Sequence, residues 1–161
     1  MKSAEVLLVE SVGAFYFGAG TPQVICRFEA VPPFRSPRDQ DRRISCLAWN
    51  GTGRKEDSQT AGSWREYTPT LARDVSQVFL DYLAALSLPE CSVFDGEFDT
   101  GATLRHVLLR VRRDAVISSY DLNMYSSGFQ GAGADTLKAL CRKLFALAGY
   151  ADYRVWIYGT D

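Results

Sequence analysis

The sequence predicts one α+β domain: a mostly antiparallel sheet, in the order β-β-β-α-β-β-β-α-β, with two helices packed on one face. Three observations carry that expectation. Apolar runs of strand length recur between turn-forming clusters, two other stretches space their apolar residues at three and four, and short turns join most neighbouring strands. Short turns of that kind join antiparallel neighbours, because a parallel pair needs a crossover of about a dozen residues or more. The chain has 161 residues, 47% hydrophobic and 23% charged, so it reads as a single globular domain over 1–161 with a core of its own.

Residues 5–17 and 23–31 are rich in Val, Leu, Phe and Tyr, and Gly18, Gly20 and Pro22 between them mark the turn of a hairpin. Prolines and charges then set a long loop at about 32–43, a short strand follows at 44–49, and a second long polar loop covers about 50–67. Thr68 and Pro69 have the form of a helix N-cap followed by proline at the first helical position. Leu71, Val75, Val78, Phe79, Tyr82, Leu83 and Leu86 follow on one face, which is expected to be core, before Pro89 stops the run. Three strand-like stretches at 92–99, 103–112 and 115–125 read as a meander. After a Gly-rich connector, Asp135 is placed to cap a second helix that buries Leu137, Leu140, Cys141, Leu144 and Leu147 and ends at Gly149. Residues 153–158 close the chain as a strand.

Charge and cysteine usage exclude several functions. Lys and Arg number 18 against 19 Asp and Glu, a net charge of -1, so no global field draws the chain to nucleic acid or to an anionic membrane. The N-terminal stretch carries Glu5 and Glu10 and offers no cleavage site, and apolar runs stop short of membrane-span length, so the expected location is the cytoplasm. Cys26, Cys46, Cys91 and Cys141 form no C-x-x-C pair and read as reduced thiols, with no cofactor and no metal implied. No G-x-S-x-G elbow surrounds Ser118, Ser119, Ser126 or Ser127. The turn around Gly128, Gly131 and Gly133 lacks the Lys of a phosphate loop, and Asp135 stands where it would repel phosphate.

The strongest local pattern is the run from Val93 to Asp99, where a period of two turns Phe94 and Phe98 inward and Asp95, Glu97 and Asp99 outward. Carboxylates spaced by about 6.7 Å, at a rise of ~3.3 Å per residue, would meet a basic partner, hold a hard cation or pair with Arg105, Arg110 or Arg112 across the hairpin. Arg154, Trp156 and Tyr158 share one face of the last strand and, with Trp64, are residue types favoured at binding hot spots. His106 is the only histidine, so any imidazole chemistry passes through it.

These residues favour a non-enzymatic, intracellular protein-binding domain without catalytic residues. Its contact set is Asp95, Glu97, Asp99, Arg154, Trp156, Tyr158 and Trp64. In fold class and composition the chain is similar to the bacterial immunity proteins, a resemblance that implies another protein, a toxin or effector, as the partner. The alternative is a small enzyme or ligand-binding protein with a pocket formed by Asp95, Glu97 and His106. Convergence of those three groups in a concavity would favour it.

Overall fold

The computed structural model describes residues 1, 3–13, 21–30, 42–49, 64–69, 71–97, 104–124 and 128–150. Among them are strands β1 (Ala4–Gly13), β2 (Thr21–Ala30), β3 (Arg42–Trp49) and β4 (Trp64–Tyr67), then helix α1 (Arg73–Ala85). Strands β5 (Val93–Asp95), β6 (Leu104–Arg113) and β7 (Val116–Met124) follow, and α2 (Ala134–Ala148) comes last. The strands form one sheet in the order β4-β3-β2-β1-β6-β7-β5, antiparallel throughout except for the parallel pair of β5 and β7. The predicted α+β class, two helices and largely antiparallel sheet are present.

Alternation along each strand builds the core. Val6 and Leu8 of β1, Cys26 and Phe28 of β2, Ile44 and Cys46 of β3, Leu109 of β6 and Leu122 of β7 are all buried and share one face. Helix α2 lays Leu137, Leu140, Cys141, Leu144 and Phe145 over that face and touches β2 and β3. Helix α1 joins the same core through Phe79, whose ring meets Phe28 edge-on at 4.8 Å between centroids. Arg113 closes the C-terminal end of α1. Its Nη1 donates to the carbonyls of Leu83 at 3.3 Å and Leu86 at 2.8 Å, so two carbonyls without helical partners face a cation.

Several expectations are corrected. The second long loop gives way to β4 over its last four residues, which pair with β3 at the sheet edge. Helix α1 begins at Arg73, with Ala72 at its N-cap, so Thr68 and Pro69 precede the helix instead of opening it. Its buried face runs through Ser76, Phe79 and Leu83, while Val75 and Val78 are exposed, because α1 touches the sheet along a narrower stripe than its apolar residues span. Gly133, not Asp135, is the N-cap of α2, and Asp135 lies in the first turn. The meander is real only for β6 and β7, because β1 occupies the other edge of β6 and β5 is left with the free edge of β7. Thr21 and Pro22 of the expected turn belong to β2, and Arg42 and Arg43 of the expected loop belong to β3, while residues 18–20 of that turn, 32–41 of that loop and the expected strand at 153–158 lie outside the described residues.

Candidate functional site

The sheet has a second face, and its composition follows from the same alternation. At its centre the register sets Val9 opposite both Ile25 and Leu108, Ile25 opposite Leu47, and Leu108 opposite Asp121, with Val93 next in line. These residues form a stripe running across the strands from β3 to β5, about 24 Å long at ~4.8 Å per strand. Leu108 and Val93 keep 48% and 49% of their surface in solvent, and Ile117 on the same face keeps 59%. An antiparallel sheet normally turns such a face to water with polar side chains, so apolar groups this exposed are the feature to explain.

Arginines flank one side of the stripe. Leu7 stands between Arg27 and Arg110, and Glu5 in the next row is opposite Arg112. The carboxylate of Glu5 accepts from Arg27 at 3.1 Å and Arg110 at 3.0 Å, and Arg112 lies 3.5 Å away. Burial by itself raises the Glu5 pKa, but the hydrogen bonds and charges of Arg27 and Arg110 outweigh it and hold the carboxyl below its ordinary value. Arg27 also approaches Glu29 at 3.6 Å. Each half-exposed guanidinium is thus anchored at one end by a buried carboxylate.

On the other side the register places Ser11, His106, Asn123 and Asp95 in one row over β1, β6, β7 and β5. His106 Nε2 lies 3.1 Å from Asp121 Oδ1, and Asn123 Nδ2 donates to Asp95 Oδ1 at 2.9 Å. Ser11, His106 and Asp121 are a serine, a histidine and a carboxylate on adjacent strands, but no hydrogen bond links Ser11 to His106. Asn123 separates Asp95 from His106 in that row, and both lie on the same face of the sheet as the stripe. The predicted row of carboxylates is shortened, because β5 ends at Asp95 before Gly96, a residue that costs a strand entropy and packs no side chain. Glu97 is exposed beyond the strand end, and Asp99, Arg154, Trp156 and Tyr158 lie outside the described residues. Trp64 opens β4, and its side chain is also outside them. Arg105, Arg110 and Arg112 pair with Glu10 and Glu5 instead of with the β5 carboxylates, since β7 intervenes.

The helix side offers other features. A cleft of about 390 Å³ between α1 and α2 is lined by Val75, Val78, Phe79, Tyr82, Ala146 and Leu147, with Asp74 and Lys143 at its rim. Lys143 Nζ sits 4.9 Å from the centre of the Tyr82 ring, and the Tyr82 hydroxyl is buried without a hydrogen-bond partner. Beneath α2, Glu10 is buried and accepts from Arg105 Nη1 at 2.7 Å, and burial raises its pKa against the opposing pull of Arg105. Cys26 and Cys46 are cross-strand neighbours, and their mutual hydrogen bond, with burial, raises the Cys26 pKa. Burial pushes the Cys141 thiol up to about 12. All four cysteines are unpaired. Among the described residues no group of three His, Cys, Asp or Glu is placed to hold a metal ion, and no helix is long and apolar enough to cross a membrane.

Sequence reasoning missed Asp121, Asn123 and the Glu5 cluster. Their roles come from register across strands, and the only early signal was alternation within each run. Comparison with protein-family models, with curated proteins and with solved structures returns no match.

Proposed function

We propose that this chain is a non-enzymatic protein-binding domain that receives its partner on the open face of the sheet. The observation that supports it is the stripe from Leu47 to Val93, with Leu108 and Val93 about half exposed between charged rows. Apolar centres ringed by polar groups are how protein interfaces are built, and a stable one buries about 800 Å² per partner. A toxin neutralised by binding, in the manner of an immunity protein, is the specific partner role we assign, acting in the cytoplasm, where unpaired cysteines stay reduced. Asp95 and Glu97 then stand at one end of the contact surface, and Trp64, Asp99, Arg154, Trp156 and Tyr158 are the further contacts to test.

The test is affinity purification from the native host with wild-type protein and with Leu108→Asp. Because Leu108 is half exposed, the substitution is expected to leave the fold intact, as circular dichroism would verify. Wild type should recover one protein in stoichiometric amount and the variant should lose it by about ten-fold or more, the loss expected when a charge enters an apolar interface centre. Equal recovery by both chains rejects the open face as the contact surface. Loss on replacing Asp95, Glu97 and Asp99 by Asn, Gln and Asn would extend that surface to the β5 edge.

A further inference from the structure

We infer that the protein received on the open face sets carboxylates of its own against Arg27 and Arg110, so that the partner's contact surface is acidic along that side. The inference rests on the open face being the contact surface, and it adds the sign of the partner. It follows from counting donors. A guanidinium carries about five N–H donors and no acceptor. Among the described residues, the carboxylates paired with Arg27, Arg110 and Arg112 are the buried one of Glu5 and, at 3.6 Å from Arg27, that of Glu29. Side chains of Arg27 and Arg110 remain 47% and 50% exposed, so their donors outnumber these acceptors and the side chains stay accessible to a partner.

The opposite flank is different. Asp95 there accepts from Asn123, and Asp121 at the end of the stripe lies against His106, so both have partners within the chain, while Glu97 stands exposed beyond the end of β5. Glu5 also limits the entropy that a partner's carboxylate would otherwise have to overcome. By holding Arg27 and Arg110 from below, on either side of Leu7, it presents two planar donor groups that suit carboxylate geometry. Glu5 is therefore a positioning residue for these arginines.

The experiment uses the protein recovered from the host by wild-type chain, purified and titrated against three variants. The triple change Glu5→Gln, Arg27→Gln, Arg110→Gln removes the guanidinium pair together with its buried carboxylate, and the two charges that lose a partner, Arg112 and Glu29, are each about a third exposed to water. It should weaken binding about ten-fold or more, and wild-type binding should fall as NaCl rises from about 50 to about 500 mM, where screening shortens from over 10 Å to a few Å. Arg27→Lys with Arg110→Lys keeps the charge but loses the fork, and should fall between the two. Binding by the triple variant equal to wild type, or indifference to salt, overturns the acidic partner. If Leu108→Asp still abolishes binding in that case, the open face stands and only the sign is wrong. If Leu108→Asp binds as wild type does, or wild type recovers no protein at all, both fail.

Discussion

Glu5 and Glu10 share β1 but point to opposite sides of the sheet, and they titrate in opposite senses. The pKa of Glu5 is held below the ordinary 4.5, so the stability it contributes is full above that value and is lost as pH falls through its lower folded pKa. Glu10 is raised above 4.5, so its contribution is full below that value and is lost as pH climbs through its higher folded pKa. A series of melting temperatures against pH should therefore separate them. Glu5→Gln is expected to cost about 2 kcal/mol at neutral pH, the worth of hydrogen bonds to a charged group, and to flatten the acid limb. Glu10→Gln should instead flatten the decline above pH 4.5, and an unchanged profile in either variant would contradict the assigned role. Neither residue stood out in the sequence, because Arg110 lies 105 positions from Glu5 and only strand pairing brings them together. The alternation over Val93–Asp95 was legible because it is local, but the strand stops at Asp95 and does not carry Glu97.

At the scale of elements, α2 was the most legible, since Leu137, Leu140, Cys141 and Leu144 are fully buried and Gly149 ends the helix in the left-handed conformation at φ 70°. What escaped was its start. Gly133 at φ 87° caps the helix with its backbone alone, and a Cβ there would come within 2.6 Å of Pro89 Cβ. Gly133→Ala should accordingly destabilise by about 1–3 kcal/mol in urea unfolding, from left-handed strain and the clash together. Gly149→Ala meets nothing within 4 Å and should cost about 1 kcal/mol. Equal losses would mean that Pro89 yields freely. The beginning of α1 was misjudged for a related reason: Thr68 and Pro69 form a good cap signal, but a cap signal acts only where the following residues can already reach the sheet, and Phe79 and Leu83 set that point.

For the whole molecule, class and helix count were readable because alternating and helical periods register burial directly. Strand order was not, since β5 joins β7 and β6 joins β1 through contacts that no local pattern encodes. The thiols report on the intact core. Cys26, Cys46 and Cys141 are buried and Cys91 is exposed, so an aromatic disulfide reagent should titrate one thiol quickly in the native state and all four after unfolding. Fast reaction of more than one would show the sheet and α2 opening far more readily than this packing allows. The two carboxylates of β1 bear on assembly of the sheet itself. Were β1 to dock one position out of step, Glu5 would turn toward the helices, away from its guanidinium cradle, and Glu10 would leave Arg105 behind. Misaligned pairings are thereby penalised twice, once by oil and once by charge, so β1 proofreads the alignment of the strands on either side of it.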